Sequence, residues 1–222
     1  MNADPGHASR KPGRPSSERR LDSRQALIDA ARDLFARYEY DQVSTKRIAD
    51  AAGVNPAMIR YHFEGKAGLL ETAFDEALAP IIAKLNTLST RGGDVDLEGV
   101  FGVYMRTMAA NPWLPKMILR HVLPEGGRLQ ARAASRISTS VAPVVRGLVS
   151  RGQANEKLRA ELDPLLTTIS LVSLALFPFL AQALIKRVLD VELSGPLVPA
   201  LVEHTATIFH CGAGADGVNH AA

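Results

Sequence analysis

The six residues Met58-Ile59-Arg60-Tyr61-His62-Phe63 place a guanidinium, a phenol and an imidazole among apolar side chains within less than two helical turns. Arginine can bridge the O6 and N7 atoms of guanine or hold a phosphate, and tyrosine and histidine can donate to phosphate oxygens. The stretch is introduced by Gly53-Val54-Asn55-Pro56. Glycine ends a helix because it takes the left-handed conformation without steric cost. Asn55 can cap the next helix, with Pro56 at the first helical position, where a missing N–H costs nothing. Helix, glycine turn and capped helix together spell a helix-turn-helix, whose second helix fits the major groove of DNA. Ile59 and Phe63, four apart, share the face to be buried. Pro56, Ala57, Arg60 and Tyr61 then look outward, with Met58 and His62 at the edges. Ala57 is small enough to bring its methyl against a thymine methyl. Thr45 and Lys46, in the first turn of the preceding helix, can meet the DNA backbone with help from that helix N-terminus. Lys66 suits one further phosphate.

These residues need a scaffold, and the surrounding periodicity supplies it. From Asp22 or Ser23 as a cap, Leu27, Ile28, Ala31, Leu34, Phe35 and Tyr38 recur on one helix face. "YEYDQ" interrupts that pattern. Ser44 is placed to cap a second helix with Ile48, Ala51 and Ala52 inward. After "FEGK", a long fourth helix carries Leu69, Leu70, Ala73, Phe74, Ala77, Leu78, Ile81, Ile82 and Leu85, with Pro80 expected to kink it. Ser89–Asp96 reads as a loop. Helical stretches follow at about 96–110, 112–122, 126–151, 163–189 and 196–211. No strand-like alternation persists, so the fold class is all-α. Four regions are expected: a flexible basic arm (1–20), a three-helix helix-turn-helix unit (21–66), a larger helical domain (67–212) and a flexible tail (213–222).

Composition narrows the function. The chain has 222 residues, 46% hydrophobic and 22% charged, ordinary for a globular protein. Residues 1–66 carry 12 Lys/Arg against 9 Asp/Glu, and the remainder 14 of each, so the whole net charge of +3 sits in the first third. That bias suits a polyanionic partner. Cys211 is the single cysteine and excludes an internal disulfide. With no secretory segment at the basic start, the expected compartment is cytoplasmic. No Gly-x-Ser-x-Gly, Walker loop, dinucleotide fingerprint or His-Glu-x-x-His occurs, which argues against an enzyme and against a cofactor. His204, His210 and Cys211 lie near one another late in the chain, but no metal site is expected there. Leu165–Ile185 is long enough for a membrane span, yet Thr167, Thr168, Ser170, Ser173, Gln182 and Pro178 interrupt it. It reads instead as a helix buried on several sides, in a bundle core and a subunit interface.

The segment "STKRIADAAGVNPAMIRYHFEGKAGLLETAFDE" resembles the N-terminal signature of the tetracycline-repressor (TetR) family of bacterial transcriptional regulators. The shared features are Thr45, the turn from Ala49 to Gly53-Val54, the aromatic-rich end Tyr61-His62-Phe63, and Lys66. The resemblance covers about residues 22–76. It implies that Thr45, Tyr61 and Lys66 grip phosphates and that Lys46, Pro56, Ala57 and Met58 reach base edges. This chain departs at Met58, usually a small residue, and at Arg60, commonly an aromatic, so its operator sequence is its own. Residues beyond 66 would then form a helical ligand-binding and dimerisation domain, with 163–189 and 196–211 packed against their two-fold mates. The implied activity is ligand-responsive binding of a palindromic double-stranded operator as a homodimer, most often repression, relieved by a small apolar or amphipathic inducer.

Phe74, Phe101, Tyr104, Met105 and Met108 could wall an inducer cavity, together with Trp113, Met117, His121 and Phe177. Tyr104, Arg106, Arg120 and His121 are candidate polar anchors. The rival reading makes the chain a protein-interaction module whose apolar 163–189 segment docks a partner. In the arm, "RKPGRPSS" offers Arg14 as a minor-groove hook. Removing residues 1–20 is expected to weaken DNA binding and to lower its salt dependence by roughly a few units of slope. A titration at several salt concentrations checks this.

Overall fold

Leu27, Ile28, Ala31 and Phe35 are fully buried, and their spacing of one, three and four residues makes them one stripe on the first helix. The computed structural model describes residues 16–90 and 96–214, and its first helix, α1, spans Ser16–Arg37. The helix therefore starts five residues inside the stretch expected to be an arm, and six before Asp22. Arg14 lies outside the described residues. A 3₁₀ turn at Tyr40–Gln42 breaks the pattern where "YEYDQ" breaks it in sequence. α2 (Thr45–Ala52) is capped by Ser44, whose side chain accepts from the Arg47 N–H, and ends at Gly53 with φ 66°. Its buried residues are Ile48 and Ala49, while Ala51 is exposed and Ala52 half-buried. The inward face thus takes Ala49 in place of the expected Ala51, while Ala52 packs at the edge of the core as expected. α3 (Ala57–Phe63) buries Ile59 and Phe63.

α4 (Lys66–Thr90) continues through Pro80 as one helix. Its first turns close the core of the N-terminal unit with Leu69, Leu70, Ala73 and Phe74. Ala77, Ile81 and Leu85, one to three turns on, belong to the second core. Around that core lie α5 (Leu97–Ala110), α8 (Ala142–Ala154), α9 (Pro164–Leu180), α10 (Gln182–Leu189) and α11 (Leu197–Ala213); α6 (Trp113–Met117) is shared, Leu114 lying in the second core and Met117 in the first, and α7 (Gln130–Arg136) buries Ala133 in the first. Two π-helical turns interrupt the expected helices: Ile118–Val122 continues α6, and Ile137–Val141 joins α7 to α8. Among the described residues there is no strand, only a single antiparallel bridge between Leu158 and Gly214.

The expected single helix over 163–189 is two. The chain bends by 65° between α9 and α10, three residues after Pro178, whose missing donor and ring weaken the last turn. Among the described residues no single helix is long and apolar enough to cross a membrane; α9 and α10 pass that test only as the bent pair. Nor is α9 buried on all sides. Leu165, Leu166, Ile169 and Phe177 are exposed, as are Leu184, Val188 and Leu189 on α10 and Ile208 on α11.

Gly68 positions α3 against α4. A Cβ at this position would overlap the backbone carbonyl oxygen of Phe63. Gly68→Ala must therefore push α3 off α4, which is expected to destabilise the chain by about 1–3 kcal/mol. A urea unfolding midpoint measures the loss.

Candidate nucleic-acid interface and ligand chamber

α3 is fixed at three points. Its start is held by Asn55, whose side chain accepts from the Ala57 N–H at 2.8 Å. Its middle is anchored by the buried Ile59 and Phe63. At its end Glu64 takes a left-handed conformation, φ 63°, and turns the chain into α4. The remaining face is open. Pro56, Ala57, Arg60 and Tyr61 are exposed, Tyr61 at 59%, with Met58 and His62 half-buried at the edges. This is the division expected from spacing alone. His62 also shares a 3.1 Å hydrogen bond with the Ser23 hydroxyl of α1, so its ring helps to seat α3 as well as facing its edge.

The flanking cations are less free than sequence suggests. Lys46 is exposed and pairs with Asp50 at 2.7 Å, one turn along α2. Thr45 is exposed at the start of the same helix. Lys66 is half-buried. Its Nζ donates to the Tyr40 carbonyl at 2.9 Å and stands 3.9 Å from the Tyr40 ring centroid. Lys66 is therefore a strut between α4 and the 3₁₀ turn, and contact with a phosphate would compete with that bond.

Arg60 and Tyr61 are the long polar side chains on the exposed face of α3. Arg60→Ala is expected to cost about 1–3 kcal/mol of operator affinity if it reads a base, with specificity relaxed at one position. If it holds a phosphate, the loss is uniform across sequences and the salt slope falls by about one. Affinities on single-base operator variants separate the two outcomes.

The larger domain holds a chamber of about 360 Å³, open on one side, with almost wholly apolar walls. α4 supplies Phe74, Leu78 and Ile81; α5 supplies Tyr104 and Met108; α9 supplies a stripe from Thr168 to Leu180. Both π turns contribute, with Ile118 and Val122 from the first and Ile137 and Val141 from the second. Of the nine residues expected to line a cavity, Phe74, Tyr104 and Met108 do so. The Tyr104 hydroxyl oxygen is buried with no hydrogen-bond partner, and burial pushes its pKa up. Phe101 and Met105 are fully buried in the core beside the chamber. Met117 belongs to the N-terminal core. Trp113 lies under the Arg32 guanidinium, 5.0 Å from its ring centroid. Phe177 points outward, 66% exposed. Helical spacing revealed apolar stripes but could not say which of two cores, or which surface, each stripe faces.

The polar anchors proved to be joints. Arg120 pairs with Glu39 at 2.6 Å and donates to the Ala36 carbonyl. His121, 2% exposed, donates from Nε2 to the Phe35 carbonyl at 3.0 Å. Both reach the last turn of α1 from the π turn whose Ile118 and Val122 wall the chamber. Arg106 faces a separate groove with Arg32, Glu76 and Asn111. A second joint escaped the sequence reading: Arg132 and Arg136 of α7 both bind Asp75 of α4, and Arg132 also binds Glu71. Its signal was present, since Glu71 and Asp75 are four apart, as are Arg132 and Arg136, which sets two charged ridges in register. Burial alone would raise the Asp75 pKa, but hydrogen bonds from both arginines outweigh it and hold the carboxyl below its usual range.

Burial lowers the His121 pKa, against opposing effects from the Phe35 carbonyl and Glu39. The unfolded chain then binds the proton more readily than the folded one. The stability that neutral His121 contributes is whole above the ordinary histidine value of about 6.5 and is lost as pH falls through the depressed value. His121→Gln retains a donor for Phe35 and is expected to flatten the decline in unfolding midpoint between about pH 7 and about pH 5. Thermal unfolding at stepped pH checks this.

Comparison with known proteins agrees with this geometry. The family model of bacterial regulatory proteins of the tetR family matches residues 27–73, and that of the tetracyclin repressor-like C-terminal domain matches residues 94–206. No curated protein matches the chain in sequence. Among solved structures, the fatty acid degradation regulator FadR from Bacillus halodurans superposes with a TM-score of 0.72 at 19% identity, over 90% of this chain and 97% of that one. FadR from Bacillus subtilis in complex with stearoyl-CoA gives 0.68 at 17%, over 88% and 98%. The SmeT–triclosan complex gives 0.70 at 17%, over 88% and 93%. Two family models in their family order, one of them spanning half the chain, place this protein in the TetR family of bacterial regulatory proteins.

Proposed function

We propose that the chain is a cytoplasmic repressor that grips a palindromic operator as a two-fold dimer and lets go when a small apolar molecule fills the chamber. The outward face of α3 carries the reading: Pro56, Ala57, Arg60 and Tyr61 are open to solvent, while Ile59 and Phe63 fix their orientation. Thr45, Lys46 and Asn55 flank that face, with Met58, His62 and Lys66 at its margins. One such helix makes few base contacts, so two must act together on successive faces of the groove. The exposed apolar face of α9, α10 and α11, with Phe177, Leu184, Val188 and Ile208, is the surface proposed to join the two subunits. A foreign protein partner would use the same face, and sedimentation of the isolated chain distinguishes them.

Release follows from linkage. A ligand favouring the conformer with the wrong spacing of recognition helices weakens DNA binding by the same factor. α4 is the proposed lever, because Phe74 packs under the N-terminal unit and also walls the chamber. The neighbours that carry ligands, FadR with stearoyl-CoA and SmeT with triclosan, support an apolar or amphipathic effector.

Selection from random double-stranded DNA tests the function. Two inverted half-sites one helical turn apart, or a multiple of it, are expected; no enrichment would refute DNA reading. With that operator in hand, Asp75→Asn tests the lever. Loss of the arginine clamp is expected to leave ligand-free operator affinity within about threefold while blunting release by about tenfold, within the usual range of coupling energies. Equal losses in both would show that the clamp only supports the fold.

A further inference from the structure

Thr45 and Lys66, both proposed to flank the reading face, stand at the first positions of α2 and α4. The 3₁₀ turn Tyr40–Gln42 adjoins both. Only Val43 and Ser44 separate it from Thr45, and the Lys66 Nζ donates to the Tyr40 carbonyl at 2.9 Å. A further cation reaches this turn from the larger domain. The Arg128 guanidinium lies over the Tyr40 ring, 4.7 Å from its centroid, with the Lys66 Nζ at 3.9 Å from the same point.

Arg128 is held in place with its donors unspent. Contact with a ring engages none of the five guanidinium N–H groups. Among the described residues its ionic partner is Asp41, at 3.9 Å and with both side chains mostly exposed. That is too long for a hydrogen bond and too wet to fix the cation. The backbone beneath it is anchored. Leu129 is fully buried in the N-terminal core, and its N–H donates to the His121 carbonyl at 2.8 Å. Gly127 packs so closely that a Cβ there would stand 2.6 Å from the same carbonyl oxygen. His121 in turn belongs to the π turn whose Ile118 and Val122 wall the chamber.

We infer that Arg128, carried by the larger domain, makes a direct contact with an operator phosphate beside Lys66. The inference rests on the reading that α3 faces the groove with Lys66 at its margin. A duplex brought to that edge offers Arg128 a better partner than Asp41, since a phosphate can meet a guanidinium through two parallel N–H bonds. The loop 123–129 then gives the larger domain its own hold on DNA, separate from the spacing of the two recognition helices. Because this loop is bonded to the π turn, a ligand that moves the turn also moves a phosphate contact.

The experiment titrates full-length protein onto its selected, fluorescently labelled operator at stepped salt concentrations, followed by polarisation. Arg128→Gln is expected to weaken binding roughly three- to tenfold and to lower the salt slope by about one unit per subunit. The loss should be equal across single-base operator variants, because a phosphate carries no sequence information. Arg128→Lys keeps the charge and should keep the slope. Arg151→Gln, which removes an exposed arginine of α8, serves as the control for overall charge. An unchanged slope in Arg128→Gln overturns the contact; a lower urea unfolding midpoint in that variant would then show that Arg128 only braces Tyr40. A slope lowered as much by Arg151→Gln overturns it too, since the effect would belong to the field of the whole protein. Arg60→Ala in the same titration keeps the two readings apart. If it weakens binding and Arg128→Gln does not, α3 still reads the groove without help from Arg128. If neither weakens binding, the placement of α3 in the groove falls as well.

Discussion

One helix has to satisfy two cores at once. α4 closes the N-terminal core with Leu69, Leu70, Ala73 and Phe74 and, without a break, enters the second core with Ala77, Ile81 and Leu85. Interiors are close-packed, so neither core can shift its share of α4 without the other feeling it. Polar contacts reinforce the same arrangement. Glu76 on α4 binds Arg24 and Arg32 of α1, and Asp75 binds the two arginines of α7. Neighbouring carboxylates on one helix thus tie it to two different helices, α1 and α7, that share the first core. A regulator whose two functions are separated in space needs such shared matter, and here it is a continuous backbone.

The recognition unit was legible because its information is local. Ser44, Gly53, Asn55 and Pro56 each satisfy a capping requirement that depends on adjacent residues only. Ile59 and Phe63 could be assigned inward because a short helix of that unit has one neighbouring core. The larger domain carries little of this kind. Phe101, Met105 and Met117 have the same apolar character as Phe74, Tyr104 and Met108, and only the tertiary arrangement sorts core from chamber. Phe177 differs in the other direction: it lies exposed on an apolar face of α9. The bend after Pro178 had a visible cause, but its size depends on how α10 settles against the body. The start of α1 at Ser16 was hidden by a polar, arginine-rich beginning that carries no apolar stripe.

Several polar residues gained a different role once placed. Arg120 and His121 attach the ligand domain to the end of α1, and Lys66 braces the 3₁₀ turn. The Tyr40 ring lies between Lys66 and Arg128, 3.9 Å and 4.7 Å from its centroid. Cations gathered around one ring join α4, the turn after α1 and the loop before α7. The basic excess of the first third is therefore divided between surface meant for a polyanion and internal ties.

The π turn at Ile118–Val122 has a consequence for how such a protein can diverge. A π turn holds one residue more than the α-helix around it. Deleting a single residue there would let the segment wind as ordinary helix, rotating the downstream residues by about 100°. Side chains now divided between the chamber and α1 would turn to different neighbours. A single codon lost or gained at this point can thus rewire response without touching the DNA-reading surface, which makes the turn a natural site for relatives to part company in their choice of signal.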